Sequence, residues 1–234
     1  MKPTLNFPVS SSRSLTVTVM AALLLNGLAM GAVLPKATID NPCRTIDTVN
    51  QVFPPLDSQF NEAINEVNAV KVSAEQLITA LQGDGFLTSD DIPALNPTFS
   101  HLPGLPLRLE NDNPNLDNMV NILLQDYHDI SVYIVYVKQA LQEQVALDMG
   151  LLSNEISQLE TNLFSLMCKV YTLLKTKETS VTSYVDASAM PEYLKNIEDA
   201  TTRYMRNYLL AKDAKIFLNH LGMNYASFLN ALQV

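Results

Sequence analysis

The fold is decided by the stretch from Asn113 to Leu174, which reads NPNLDNMVNILLQDYHDISVYIVYVKQALQEQVALDMGLLSNEISQLETNLFSLMCKVYTLL. Its apolar residues recur at intervals of three and four, which is the spacing of one helix face. The first stripe is Leu116, Met119, Leu123, Tyr127, Ile130, Ile134, Val137, Leu141 and Val145, and the second is Leu152, Ile156, Leu159, Leu163, Leu166, Val170 and Leu173. Asn113-Pro114 predicts the start of the first helix, because a capping side chain precedes proline at the first helical position. The short break at Asp148-Met149-Gly150 predicts that the two helices are antiparallel neighbours.

Two further periodic segments flank this pair. The earlier one follows Pro54-Pro55 and carries Leu56, Phe60, Ile64, Val67, Ala74 and Leu77 on one face. The later one opens at Pro191-Glu192 and carries Leu194, Ile197, Met205, Leu209, Phe217, Leu221, Tyr225, Phe228 and Leu232. Because residues 198–203 are polar, we expect its helix to begin nearer Thr201.

The connections between the four segments predict their order in space. Residues 83–113 are rich in proline and residues 176–188 in Thr, Lys and Ser, so both are predicted to be long loops. Each predicted helix has about 25 residues and is therefore about 37 Å long. A loop of about 30 residues can run back along the whole length of such a helix, whereas the short break between the two middle helices cannot. The sequence therefore predicts an all-α, long-chain four-helix bundle with up-up-down-down topology and two long crossover loops.

The first 31 residues are predicted to be a secretory signal peptide. Lys2 and Arg13 accompany a nearly continuous apolar run from Leu15 to Ala29, and small residues at Ala29 and Gly31 suit cleavage. The run is shorter than the ~20 residues that span a bilayer, which disfavours a membrane anchor. We therefore expect residues 32–234 to form a secreted, extracellular and monomeric domain without membrane insertion. The net charge of −9 disfavours a nucleic-acid partner.

Little in the chain indicates chemistry. His128 adjoins Asp126 and Asp129, but neighbouring positions on a helix point apart, whereas metal ligands need spacings of three or four. We expect no catalytic residue, no metal and no cofactor, and hence no enzyme.

Cys43 and Cys168 are the only cysteines, and an even count in a secreted chain indicates one bridge, with two buried free thiols as the alternative. A secreted amphipathic helical lipid- or ligand-carrier protein and a purely structural extracellular module stay open, although the polar faces are not rich in Lys or Arg.

Four short segments, spread over most of the predicted domain, carry a family resemblance. They are Asn41-Pro42-Cys43, Leu77 to Phe86 (LITALQGDGF), Leu166-Met167-Cys168-Lys169, and Leu221-Gly222 with Tyr225 to Leu232. In this order they resemble the leukaemia inhibitory factor, oncostatin M and ciliary neurotrophic factor group of interleukin-6-type cytokines. The resemblance implies a Cys43–Cys168 disulfide, because in the family a cysteine before the first helix pairs with one late in the third. The family's other disulfides are missing here.

The resemblance also implies a function and two binding surfaces. Such proteins bring together a leukaemia inhibitory factor receptor-like chain and a shared signal-transducing subunit, which activates JAK/STAT signalling. The surface for the shared subunit is expected on the first and third helices, at Gln59, Glu62, Glu66, Gln158 and Thr161. The surface for the receptor-like chain is expected at the start of the fourth helix with the loop after the first helix. The helix residues are Lys212 and Lys215, or Leu209 and Lys212 in a shifted alignment. The family's phenylalanine three residues before the lysine is absent.

Overall fold

The computed structural model describes Cys43 and residues 52–83, 85–88, 91–94, 101–108, 113–181 and 185–233, all within the compact unit Ile39–Val234. These residues contain four long helices: α1 (Leu56–Gly83), α2 (Met119–Leu147), α3 (Ser153–Thr176) and α4 (Ala200–Leu232). Single helical turns lie at Asp91–Ala94, Ala187–Ala189 and Glu192–Leu194, and the described part has no strand. The predicted all-α class and the four helices are confirmed. The predicted signal peptide lies outside the described residues.

Helix α1 packs against α3 on one side and α4 on the other. Residue numbers rise along α1 while those of the contacting residues fall along each partner, so both pairs are antiparallel. The contacts are Glu62–Lys169 and Ser73–Asn162 with α3, and Phe60–Phe228 and Glu75–Lys215 with α4.

Helix α2 packs against the same two helices, α3 and α4, and is antiparallel to both. The contacts are Tyr127–Tyr171 and Lys138–Phe164 with α3, and Tyr133–Phe217 and Asp148–Arg203 with α4. Each helix therefore buries its apolar stripe against two neighbours, which none of them can do alone.

Two connecting segments also pack against α2. Residues 101–108 are held by two buried tyrosines, since the Tyr133 hydroxyl donates to Pro106 O at 3.0 Å and the Tyr136 hydroxyl to Pro103 O at 2.7 Å. Burial raises the pKa of Tyr136 to about 12. Residues 185–196 bring the buried side chains of Met190 and Leu194 into the same core. Consequently α2 contacts two helices and two loop segments, and residues such as Asn121, Gln125 and Gln142 stay exposed.

The start of α2 differs from the prediction. The helix begins at Met119 and not at Pro114, because Asn113 has a left-handed φ of 45° and Asn115 folds the next residues into a turn. The Asn115 side-chain oxygen accepts hydrogen bonds from the backbone amides of Asp117 and Asn118, which competes with helix formation. As a result Leu116 lies outside the helix and is 46% exposed.

The other long-helix boundaries agree with the sequence. The break between α2 and α3 is a tight turn in which Met149 and Gly150 have φ values of 53° and 78°. Helix α4 begins at Ala200, beside the predicted Thr201, and the Asp199 side chain caps it by accepting from the Thr202 amide.

The predicted disulfide between Cys43 and Cys168 is confirmed. It joins a residue before α1 to the second half of α3, across a separation of 125 residues. Closing a loop of this size stabilises the folded state by roughly 4–5 kcal/mol in the chain-entropy description. Among the described helices, none is both long and apolar enough to cross a bilayer.

Candidate functional site

A groove of about 730 Å³ lies between the second half of α1 and the start of α3, and we call it the α1–α3 groove. Its lining residues are Val72, Glu75, Gln76, Thr79, Ala80, Gly83, Asn154, Glu155 and Gln158. Val72 is an apolar residue that is 52% exposed, and most of its neighbours in the groove are polar. Val72 lies at one end of the groove, so the groove combines an exposed apolar side chain with polar neighbours, a mixture also found in protein-binding surfaces.

Four of the five residues predicted on α1 and α3 reach the surface. Gln158 lines the groove, and Thr161 is exposed one turn further along α3. On α1, Glu62 is partly exposed and accepts a hydrogen bond from the Lys169 ammonium at 2.7 Å. Glu66 follows one turn after Glu62 and is also partly exposed.

Gln59, the fifth predicted residue, is 3% exposed. Its side-chain amide donates to Pro54 O at 2.6 Å and to the Thr176 hydroxyl at 2.9 Å. The bond to Thr176 connects the start of α1 to the end of α3. The structure therefore gives Gln59 an internal contact role and does not place it on the predicted surface.

The residues predicted at the start of α4 lie further along that helix. Lys212 is 12 residues after Ala200, roughly 18 Å along the axis at 1.5 Å per residue. Leu209 is buried, at 4% exposure, whereas Lys212 and Lys215 are partly exposed. The Lys215 ammonium lies 3.0 Å from the Glu75 carboxylate, and Glu75 lines the α1–α3 groove. Lys215 thus lies beside this groove, and both lysines lie well inside α4 and not at its start.

The structure reveals a second candidate surface that the sequence reading missed. Val145, Leu147, Met149 and Leu151 are each more than half exposed within a span of seven residues, and we call residues 145–151 the α2–α3 tip. Val145 was predicted in the core because it continues the apolar stripe of α2. The break at residues 148–150 was the available signal, because apolar residues beside a tight turn no longer follow the helix face.

The α2–α3 tip shares one end of the bundle with the start of α4. Asp148 in the tip is paired with Arg203, in the first turn of α4. The ring of Phe86, which follows α1, meets Tyr204 edge-on with centroids 4.9 Å apart. This end of the bundle therefore contains the tip, the start of α4 and the beginning of the loop after α1.

The two aspartates next to His128 form ion pairs with an arginine. The Arg108 guanidinium lies 3.2 Å from Asp126 and 2.8 Å from Asp129, and both carboxylates are buried. Gln125 donates to Asp129, and the His128 ring lies 3.2 Å from the same carboxylate. Among the described residues, no group of three His, Cys, Asp or Glu side chains could hold a metal ion.

Comparison with known proteins gives no further assignment: no protein-family model, curated protein or solved structure matches this chain.

Proposed function

We propose that this protein is a secreted cytokine of the leukaemia inhibitory factor, oncostatin M and ciliary neurotrophic factor group. It binds two receptor chains at once and so activates JAK/STAT signalling. One observation carries the proposal: α1 and α2 are each antiparallel to both α3 and α4. This arrangement supports an up-up-down-down order, which requires long connections after α1 and α3. Residues 84–118 and 177–199 are long enough to provide them. Such an order is associated with cytokine bundles and not with simple up-down bundles.

Two surfaces are proposed for the two receptor chains. The α1–α3 groove, together with Glu62, Glu66, Gln158 and Thr161, takes the shared signal-transducing subunit. The α2–α3 tip, together with the start of α4, takes the leukaemia inhibitory factor receptor-like chain. Exposed apolar residues in both places support this assignment, because interface centres are desolvated and apolar while their rims stay polar.

Lys212 and Lys215 provide a test of the groove. Changing both to Glu is expected to weaken binding to the shared signal-transducing subunit several-fold. The reason is that the change reverses the charge of two basic side chains near the groove on an acidic protein. The melting temperature should change little, since partly exposed charges contribute little to stability and the lost Lys215–Glu75 pair is at the surface. The measurements are binding to each receptor ectodomain and STAT phosphorylation in receptor-bearing cells.

The matched control is Lys177→Glu, at an exposed position just after α3. It makes the same type of charge change away from the groove and should bind and signal like the unmodified protein. If the Lys212→Glu, Lys215→Glu double variant also binds like the unmodified protein, these lysines have no role in recognition.

A further inference from the structure

We infer that Arg203 is a positioning residue that fixes the conformation of the α2–α3 tip relative to the start of α4. The inference rests on the proposed function, because it matters for recognition only if the tip binds a receptor. The charged side chain of Arg203 is 3% exposed and does not itself reach the surface.

The Arg203 guanidinium joins two segments of the chain at one point. Its Nη2 donates to Asp148 Oδ1, and its Nε donates to Asp148 Oδ2 at 3.2 Å. Its Nη1 donates to Ile197 O at 2.7 Å and to Glu198 O. The hydrogen bond to Asp148 raises the pKa of Arg203, so the guanidinium stays charged. One side chain therefore holds the tip and also the residues that lead into α4.

Asp148 in turn organises the tip through Gln144. The Gln144 side-chain amide donates to Asp148 Oδ2 at 2.8 Å, and its oxygen accepts from the Leu152 amide at 3.0 Å. The Gly150 amide donates to Gln144 O at 2.9 Å. Met149 is held in the left-handed region, which is unfavourable for a residue with a side chain, so the turn depends on such contacts.

A second buried ion pair close by provides the comparison. Arg206 lies 2.8 Å from Glu143, and its guanidinium donates to Leu194 O at 2.9 Å. Glu143 also accepts from the Asn196 amide at 2.8 Å. This pair is as buried as Arg203–Asp148 and holds the segment before α4. Its hydrogen bonds go to Gln139, Leu194, Asn196 and Asn207, which lie outside the turn.

Stability alone does not explain why the tip is held by an ion pair. Replacing a buried pair with apolar side chains of similar size is often neutral or stabilising, because both charges lose their desolvation cost together. What apolar side chains cannot supply is the fixed direction of a bidentate guanidinium–carboxylate contact. We therefore expect geometry and stability to separate when the pair is replaced.

The test is the double variant Arg203→Met, Asp148→Leu, with Arg206→Met, Glu143→Leu as the matched control. Both replacements leave a few hydrogen-bonding partners behind, so the melting temperature of the first variant should fall by no more than that of the control. Amide hydrogen exchange at Gly150 and Leu152 should become at least tenfold faster, and binding to the receptor-like chain about tenfold weaker. Binding to the shared subunit should be unchanged. The control pair should leave exchange at Gly150 and Leu152 unaffected.

Unchanged exchange at Gly150 and Leu152 in the first variant would overturn the inference, whatever the receptor data show. Faster exchange there, in a protein that binds no receptor chain even when unmodified, would support the positioning role and contradict the proposed function instead. If the double variant does not fold, Arg203→Lys replaces it, because lysine keeps the charge but cannot reach Asp148, Ile197 O and Glu198 O together. It too should show the faster exchange, and its failure to do so would overturn the inference.

Discussion

Replacing Arg108 with methionine is expected to lower the free energy of unfolding by about 3–5 kcal/mol, because it leaves two buried carboxylates without their cation. Asp126 is fully buried and Asp129 nearly so, and Arg108 contacts both. Arg108 also lies in the segment 101–108, which runs alongside α2 from Tyr136 to Asp126. Removing it should therefore loosen that segment as well as destabilise the bundle. Urea unfolding followed by circular dichroism measures the loss.

The control for this variant is Lys169→Met, which removes the Lys169–Glu62 ion pair between α1 and α3. Both partners of that pair are partly exposed, so its loss should cost less than about 1 kcal/mol. A comparable small loss for Arg108→Met would mean that the two aspartates do not depend on the arginine, and the account of segment 101–108 would be wrong.

The two proposed receptor surfaces should lose binding independently when each receives one acidic side chain at an exposed apolar position. Leu151→Glu in the α2–α3 tip is expected to weaken binding to the receptor-like chain at least tenfold and to leave the shared subunit bound. Val72→Glu in the α1–α3 groove should do the opposite. An introduced carboxylate that receptor binding covers must lose its hydration without a partner, and a loss of about 1.4 kcal/mol corresponds to tenfold in affinity. Binding of each variant to each immobilised ectodomain measures the effect.

Met223→Glu is the control for both variants. Met223 is an exposed apolar residue of α4 at 63% exposure, and it belongs neither to the groove nor to the tip. All three substitutions lie at exposed sites, so melting temperatures should stay close to that of the unmodified protein. Equal loss of both receptors from Leu151→Glu or from Val72→Glu would contradict the assignment of one surface to each chain.

Much of the fold was predictable because apolar spacing reports helices directly. Stripes such as Leu152 to Leu173 required one helix face, and the Asp148-Met149-Gly150 break required a turn. The error at the start of α2 arose from local chemistry. Asn113-Pro114 has the composition of a helix start, but the Asn115 side chain takes up the amides of Asp117 and Asn118 in a turn.

The site was less predictable, because burial of polar residues is decided by tertiary contacts. Gln59 reads as a surface residue until its partner Thr176 is known, 117 positions away. Arg203 and Arg206 likewise read as the solvated start of a helix, whereas their partners are Asp148, directly after α2, and Glu143, on α2. Exposure of Val145 could not be read from periodicity, since the stripe of α2 continues through it while the bundle ends.

The central claim is tested most directly by mixing the secreted, unmodified protein with the ectodomains of the leukaemia inhibitory factor receptor-like chain and the shared signal-transducing subunit. Size-exclusion chromatography with light scattering then measures what assembles. We expect a complex that contains one copy of this protein and both receptor chains. In cells that carry the two receptors, we expect STAT phosphorylation. Failure to bind either ectodomain, combined with binding to lipid vesicles, would contradict it and favour a lipid-carrier protein.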